Sequence, residues 1–293
     1  MLMIRKSRRK ERRQFKFLNV KLLHNQSPEN YVELFSRLLE ADYVVETSNS
    51  RQIELLDFKV SDASGVYEGK IATYMRSSNV KWFDNQTKQR AAGPEISENL
   101  RPNLKEDYFY LVPERHRIAI ASSSEVSINY LKQYIDMSCY RLLGPEQVST
   151  SIEVDPSYIQ DIKAAKEVSR IEVTWSYTNK DFGEGLAKVL DESAKTGNAA
   201  RITTIITSAP GESLSVEDES LPGAILNLAQ SNSTSEAEAT VRNPEYNKKG
   251  KRIKANRRNI STSNYPLKEI ILFSAGLLTG AIYDFVMSRF RQE

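Results

Sequence analysis

The sequence predicts an α+β fold made of two ferredoxin-like strand-helix-strand halves and a C-terminal hydrophobic helix. Three observations support this fold class. Short segments alternate apolar and polar residues, longer segments repeat apolar residues at helical spacing between capping residues, and residues 270–287 form an apolar run broken only by Asp284. With 293 residues, 40% of them hydrophobic and 27% charged, the chain suits one large globular domain or two smaller ones.

The first half opens with a strand and a helix. Residues 15–23 (FKFLNVKLL) alternate apolar and polar side chains, as a strand with one buried face does. Ser27 stands at an N-cap position and Pro28 at the first helical position, so a helix should follow. The next predicted strands are residues 52–60 and 66–75, separated by the turn sequence SDASG.

A strand pair and a second helix complete this half. Residues 108–112 and 117–121 are predicted strands on either side of Pro113. The following segment, SSSEVSINYLKQYIDMSCYRLLG, has a serine N-cap, apolar residues at helical spacing and Gly144 as the C-cap. Cys139 lies near the end of this helix, so we interpret it as a packing residue.

The second half repeats the alternation of strands and helices, which suggests halves at residues 15–145 and 146–265. The predicted elements are a strand at 148–154, a short helix at 156–167, a strand at 170–177, a helix from Asn179 or Asp181 to Lys195, a strand in ARITTIITS, a helix at 215–230 and a hairpin at 232–262. The hairpin is favoured over a disordered linker because Ala237, Ala239 and Val241 alternate with polar residues.

Positive charge is concentrated in two segments. Residues 1–17, which include a basic N-terminal arm at 1–14, carry a net charge of +7, and residues 242–258 carry another +7, so the net charge of +3 conceals an acidic body. This segregation predicts contact with a polyanion at the two basic segments. The expected nucleic-acid or anionic-lipid contacts are Arg8, Arg9, Lys10, Arg12, Arg13, Lys248, Lys249, Lys251, Arg252, Lys254, Arg257 and Arg258.

The N-terminal arm allows three interpretations. Its RKSRRKERR sequence has no interleaved aromatic residues, so it would bind phosphate without reading base sequence, and its affinity should fall with salt. It suits an anionic membrane surface equally well, and a charge run of this kind can also be simply solvated.

The apolar tail, residues 267–290, is predicted to form one helix. The 18 residues of the apolar run would reach about 27 Å, close to the hydrocarbon thickness of a bilayer, so a single-pass anchor at the cytoplasmic face of the inner membrane is expected. Gly276 and Gly280 would then form a GxxxG helix contact. The alternative is a cytoplasmic protein whose last helix is buried or forms an oligomer seam.

Catalytic chemistry is not indicated by the sequence. There are two histidines, His24 and His116, and one cysteine, and neither a P-loop nor a GxGxxG motif is present. We therefore expect no catalytic residue, no metal site and no cofactor. The best candidate anion site is Arg115, His116 and Arg117, for which the alternative is a strand edge with outward arginines and a packed histidine.

A longer sequence pattern resembles a known family. The string ISENLRPNLKEDYFYLVPERHRIAI (96–120) follows GVYEGKIATY (65–74) and KWFDNQT (81–87), and NYPL (264–267) comes later. Together these segments resemble an uncharacterised bacterial family whose members carry an ENLKPN…F.P.KHR signature, over about residues 15–267. This resemblance implies a family and no activity.

The order of strands, helices and hairpin, with a Pro-Leu ending, is also similar to the RexA and KwaB phage-exclusion proteins. RexA-type proteins bind DNA and work with a separate membrane protein. The similarity implies an anti-phage defence protein of the abortive-infection type, which senses a phage-associated ligand, possibly nucleic acid. Together with the apolar tail, it predicts action at the membrane through the C-terminal helix. Its expected partners are a membrane, nucleic acid, further copies of itself and a second defence protein. The alternative is a soluble nucleic-acid-binding module whose last helix drives oligomerisation.

Overall fold

The computed structural model describes residues 10–47, 50–63, 65–76, 81–91, 100–145, 147–175, 185–197, 202–231, 236–246 and 252–290. The strands are β1 (Lys10–Leu22), β2 (Val45–Glu46), β3 (Arg51–Val60), β4 (Tyr67–Met75), β5 (Trp82–Asp84), β6 (Gln89–Ala91), β7 (Lys105–Val112), β8 (Arg117–Ala121), β9 (Val148–Ile152), β10 (Glu167–Trp175), β11 (Ile202–Thr207), β12 (Glu236–Tyr246), β13 (Arg252–Ser261) and β14 (Lys268–Ser274). The helices are α1 (Pro28–Glu40), α2 (Ile128–Leu143), α3 (Ser157–Lys163), α4 (Leu186–Thr196), α5 (Leu221–Ser231) and α6 (Leu278–Arg289). The α+β class is confirmed.

The chain divides into two compact units. The first contains Met1–Ser151 together with Lys268–Gln292, and the second contains Ile152–Leu267. The first unit therefore includes the C-terminal segment that the sequence pattern presents as a separate tail.

The first unit is built on a sheet whose strand order is β14-β1-β8-β7-β4-β3-β2, with β9 also paired to β1. β1 is 13 residues long, so it can pair with two neighbours along its length. Its first part pairs antiparallel with β14, from Lys10 opposite Ser274 to Lys16 opposite Lys268. Its middle pairs with β8. The strands β5 and β6 form a separate two-stranded sheet.

Helices cover both faces of this sheet at its centre. Phe35 of α1 packs on Phe109 with ring centroids 5.8 Å apart, whereas Phe285 of α6 stacks on Phe17 at 5.5 Å. Because side chains alternate along a strand, the pairing register places Phe17 and Phe109 on opposite faces. The helices α1 and α6 therefore cover opposite faces, which explains why the centre of β1 is buried throughout.

The helix α2 shows how local sequence sets helix ends and burial. The Ser127 side chain accepts a hydrogen bond from the Asn129 backbone N–H at 3.1 Å, and Gly144 follows the last turn with φ of +91°. Cys139 is 2% exposed, and burial raises the pKa of its thiol to about 12. It is therefore a neutral packing residue.

The second unit packs three helices against one face of a four-stranded antiparallel sheet, in the order β11-β10-β12-β13. Alternate residues of β10 and β12, among them Val173, Ala239 and Val241, enter a core shared with α3, α4 and α5. The other face carries polar residues and Ile205, which is 55% exposed. This unit thus has one packed face and one open face.

The predicted single hydrophobic helix over 267–290 is replaced by a strand and a shorter helix. In β14, Ile271 and Phe273 are 3% and 8% exposed, whereas Ile270 and Leu272 are 55% and 59% exposed, which is the alternation of a strand. An apolar run does not by itself distinguish a strand from a helix, and here β1 supplies the neighbouring strand.

The membrane anchor is not supported either. No helix in the described part of the chain combines the length and the hydropathy needed to cross a bilayer. Gly276 adopts φ of +79° in the turn between β14 and α6, and only Gly280 lies in the helix. The two glycines therefore form no common helix face. The turn takes the backbone through a left-handed conformation at Gly276, which favours glycine over other residues.

The ferredoxin-like halves are not confirmed. That motif has the order β-α-β-β-α-β. Among the described residues, the first unit has seven strands, β2 to β8, between α1 and α2, and the second unit has the order α3-β10-α4-β11-α5-β12-β13. Neighbouring strands in the paths of both main sheets pair antiparallel, and several of these pairs, such as β14 with β1 and β10 with β12, join strands that are not consecutive in the chain.

Candidate nucleic-acid interface

In the second unit, β12 and β13 continue past the sheet as a two-stranded ribbon. β10 accompanies β12 only as far as Glu167, which lies opposite Arg242, whereas β12 and β13 remain paired to Tyr246 and Arg252. Residues 243–246 and 252–256 thus pair only with each other in the described sheet. We call these residues, with their connection 247–251, the β12–β13 ribbon.

The ribbon and its base carry most of the positive charge of this unit. Residues 242–258 contain eight lysines and arginines and one carboxylate, Glu245. Of the predicted contacts, Arg252, Lys254, Arg257 and Arg258 lie in β13. Lys248, Lys249 and Lys251 lie outside the described residues.

Like charges face each other at the base of the ribbon. Arg257 is exposed and lies directly opposite Arg242, which has Glu167 on its other side. Like charges opposite each other on two strands destabilise the pairing, so an anion bound beside Arg257 would be stabilising. Arg242 is already next to a carboxylate, and the excess charge therefore falls on β13.

Arg258 lies on the other face of β13 and has partners. Its Nη2 donates to the Tyr265 hydroxyl at 3.0 Å and lies 3.9 Å from an Asp161 carboxylate oxygen. The Tyr265 hydroxyl donates to Asp161 in turn, and this hydrogen bond is the main cause that raises the pKa of the tyrosine. Arg257 is therefore the better placed of the two neighbouring arginines for a ligand.

The open face of the sheet changes sign away from the ribbon. Glu172 of β10 lies opposite Glu238 of β12, on the face that does not enter the core. Arg170 pairs with Glu172 at 2.6 Å, which leaves Glu238 to accept from the Asn259 side chain at 3.1 Å. A phosphate backbone would be repelled from this acidic area and attracted to the ribbon.

The N-terminal basic residues belong to the first unit. Lys10, Arg12 and Arg13 are exposed in β1, while Arg8 and Arg9 lie outside the described residues. Lys16 lies opposite Lys268 of β14, and burial followed by the Lys268 charge lowers the pKa of Lys16. The predicted arm is thus in part a strand, from Lys10 onwards, rather than a free appendage.

Contacts within the first unit hold the three residues of the candidate anion site, and Arg117 Nη1 donates to the Arg115 carbonyl oxygen at 3.0 Å. His116 has φ of 55° and stacks on Tyr31 with ring centroids 4.8 Å apart. Arg117 is 3% exposed, donates from Nη1 to Asn19 Oδ1 at 2.7 Å, and lies 4.9 Å from the ring of Phe290.

Arg115 is half-buried, and its Nη1 donates to the carbonyl oxygen of Glu114 at 3.5 Å. The anion site at Arg115, His116 and Arg117 stays a prediction. Aromatic packing and hydrogen bonding to backbone and amide groups account for the positions described.

Sequence reasoning missed three kinds of residue. Lys16 and Lys268 form a cross-strand pair that only the register of β1 with β14 shows. Glu167 lies opposite Arg242 and offsets its positive charge, although it precedes Arg242 by 75 positions in the chain. Ile270 and Leu272 lie on an exposed strand face, and the alternation in KEIILFS was the available signal.

Metal chemistry receives no support from the described side chains. Among them, no group of three or more His, Cys, Asp or Glu residues is arranged to hold a metal ion.

The family comparison covers nearly the whole chain. The profile of the family described as "Domain of unknown function (DUF4747)" matches residues 11–286. The chain belongs to this DUF4747 family. The match begins in β1 and ends in α6, so β14 and most of α6 lie within the family's own domain.

The match confirms membership of an uncharacterised family. It does not show the proposed signature or the similarity to RexA and KwaB. A comparison with curated proteins gives no match.

Proposed function

We propose that this DUF4747 protein binds duplex DNA through the β12–β13 ribbon, as the ligand-sensing step of a bacterial anti-phage defence of the abortive-infection type. The observation that carries the DNA-binding part is the ribbon itself, which pairs past the end of β10 and bears the basic run. The defence role is supported by the resemblance to phage-exclusion proteins described above.

The dimensions of the ribbon suit a DNA major groove. Paired strands lie about 4.8 Å apart, and the major groove is about 12 Å wide, which admits a two-stranded β-ribbon. Between Arg252 and Arg257 the strand rises about 17 Å, and B-DNA carries about ten phosphate charges over that length of its axis.

Charge around the ribbon would orient the ligand. Glu172 and Glu238 lie further along the open face, so phosphates should stay near the ribbon and away from the rest of the sheet. The binding would be largely electrostatic and therefore salt-dependent. A phage-associated DNA would then be recognised by its backbone and groove shape more than by its sequence.

The other expected partners are a membrane, further copies of the chain and a second defence protein. The proposal does not include a transmembrane anchor, because no described helix is long and apolar enough to cross a bilayer. Self-association and a second defence protein remain part of the proposal, with no surface assigned to either. The last helix buries Ile282 and Val286 within the first unit, so these side chains are not available to an oligomer seam.

The test is binding of labelled duplex DNA, duplex RNA and single-stranded DNA by fluorescence anisotropy over a salt series. Duplex DNA should bind more tightly than duplex RNA, because the deep, narrow major groove of RNA excludes the ribbon. The double variant Arg252→Gln/Arg257→Gln should make the negative slope of log K against log salt shallower by about 2, since each lost phosphate contact reduces its magnitude by about 0.9.

The matched control is Lys163→Gln/Lys188→Gln, which removes the same charge from α3 and α4, where these lysines pair with Asp218 and Glu192. It should leave the slope unchanged. Equal slopes for the wild type and the ribbon variant would contradict the proposal. For the defence role, phage plating on bacteria that express the ribbon variant should rise to the level of cells lacking the protein, and continued protection would contradict that role.

A further inference from the structure

The first unit presents a second basic surface, formed by one face of β1 and β14. Lys10, Arg12, Gln14 and Lys16 alternate along β1 with residues that point to the α6 side. Their cross-strand partners on β14 alternate in the same way. We call the set the β1–β14 outer face, and it consists of Lys10, Arg12, Gln14, Lys16, Lys268, Ile270, Leu272 and Ser274.

Exposed aliphatic side chains distinguish this face from an ordinary solvated strand. Ile270 and Leu272 are 55% and 59% exposed, although they lie between Ile271 and Phe273, which are buried toward α6. Gln14 lies opposite Ile270, and Arg12 lies opposite Leu272. The face therefore combines two apolar side chains with flanking cations.

Charge is sorted between the two faces of this strand pair. The eight residues of the outer face include four cations and no carboxylate. The carboxylates of the paired segments, Glu11 and Glu269, are on the α6 side, where Glu269 lies 3.5 Å from Arg289. Lys16 and Lys268 are direct neighbours across the strands, so a nearby anion would relieve their repulsion.

Two other occupants fit this chemistry less well. A second copy of the chain would bring the same four cations together, at an energetic cost. Nucleic acid would satisfy the cations, but aliphatic side chains offer neither hydrogen bonds to phosphate nor aromatic rings on which bases stack. An anionic lipid surface satisfies both features, because cations meet headgroups while apolar side chains enter the boundary beneath them.

We propose that the β1–β14 outer face is a peripheral membrane-binding surface for anionic phospholipid bilayers. Lys10, Arg12, Lys16 and Lys268 contact the headgroups, and Ile270 and Leu272 insert at the headgroup boundary. No part of the chain crosses the bilayer in this arrangement. The surface belongs to the first unit and is independent of the DNA-binding proposal.

The test is co-sedimentation of the full chain with vesicles of phosphatidylcholine alone or of phosphatidylcholine mixed with phosphatidylglycerol, without nucleic acid. Binding to the mixed vesicles is expected, and it should weaken as salt rises. Arg12→Gln/Lys268→Gln should weaken it about 30-fold, because each cation near an anionic leaflet contributes about a 5.5-fold gain in partitioning. Ile270→Ser/Leu272→Ser should weaken it as well, by roughly tenfold.

Matched controls remove equivalent groups elsewhere in the first unit. Lys81→Gln/Arg90→Gln removes two exposed cations, and Leu100→Ser/Leu104→Ser removes two leucines that are 60% and 56% exposed. Both controls should bind vesicles as the wild type does, and circular dichroism should show all variants folded.

Three outcomes would overturn the proposal. These are wild-type binding by Arg12→Gln/Lys268→Gln, wild-type binding by Ile270→Ser/Leu272→Ser, and a wild-type dimer without vesicle binding that Ile270→Ser/Leu272→Ser converts to a monomer. The last outcome would identify a second copy as the occupant. DNA binding by the ribbon is measured separately, so failure of either proposal leaves the other tested on its own evidence.

Discussion

The two basic segments have the same net charge of +7 in the sequence and become different surfaces in the structure. From Lys10 onwards the N-terminal one forms strand β1 of the first unit, which pairs with β14 and β8, and α6 packs against one face of this strand. The second one leaves its sheet as a ribbon of two strands. Equal charge therefore does not imply an equal partner.

Neighbouring side chains account for the difference. β1 places its cations beside Ile270 and Leu272, so the surface has an apolar component. The exposed Arg257 at the base of the ribbon has Arg242 opposite and Glu167 one strand further away, so that surface is governed by charge. An anionic lipid surface binds a face that combines cations with apolar side chains, whereas a phosphate backbone binds a face that carries charge alone.

The largest expected contrast is in stability. Deleting residues 268–293 removes β14 and α6 and should unfold the first unit. Five buried side chains (Ile271, Phe273, Ile282, Val286 and Phe290) are lost, and at about 2 kcal/mol each they contribute about 10 kcal/mol, as much as the whole stability of many domains. Replacing residues 243–256 by Asn-Gly closes the hairpin at the pair of Arg242 and Arg257, and should change the free energy of unfolding by about 1 kcal/mol or less.

Urea unfolding followed by circular dichroism measures both effects. If the truncated chain kept its unfolding midpoint, the C-terminal segment would be a dispensable tail, as the apolar run alone suggests. The shortened ribbon serves as the control for loss of paired strands as such.

A smaller difference between the two surfaces is expected when each variant is tested for binding to both DNA and anionic vesicles. Arg252→Gln/Arg257→Gln should reduce the magnitude of the salt slope of DNA binding by about 2 and leave partitioning onto anionic vesicles unchanged. Arg12→Gln/Lys268→Gln should do the reverse, with about 30-fold weaker partitioning and an unchanged DNA salt slope. Anisotropy and co-sedimentation on the wild type and these two variants measure both effects. Parallel losses for both ligands would mean that the two surfaces act only through net charge.

The smallest contrast separates two glycines that the sequence presents as one motif. Gly276→Ala should destabilise the protein by about 1 kcal/mol, because an alanine at φ of +79° is strained. Gly280→Ala should stabilise it by about 0.5 kcal/mol, since Gly280 lies in α6 and an added Cβ meets nothing within 4 Å. Thermal unfolding of both variants measures the difference in sign. Equal effects of the two substitutions would contradict a left-handed turn at Gly276.

Much of the fold could be predicted from local signals. Helix α1 begins at Pro28, and α2 follows the Ser127 cap and ends before Gly144, because these residues act within one turn of the backbone. The DUF4747 match supports the family, and strand β12 lies where Ala237, Ala239 and Val241 alternate with polar residues. The order of the strands in each sheet could not be predicted from the sequence, because it depends on pairing between residues far apart in the chain.

The candidate surfaces follow the same division. The sequence by itself determined the two charge runs, the strand and helix segments, and the presence of a single cysteine, since these depend on residue type and on near neighbours. Tertiary structure alone decided that the apolar C-terminal run splits at Gly276 into a strand beside β1 and a helix over Phe17. An apolar segment is stabilised wherever it is removed from water, and only the rest of the folded chain specifies whether a lipid, another copy or its own sheet removes it.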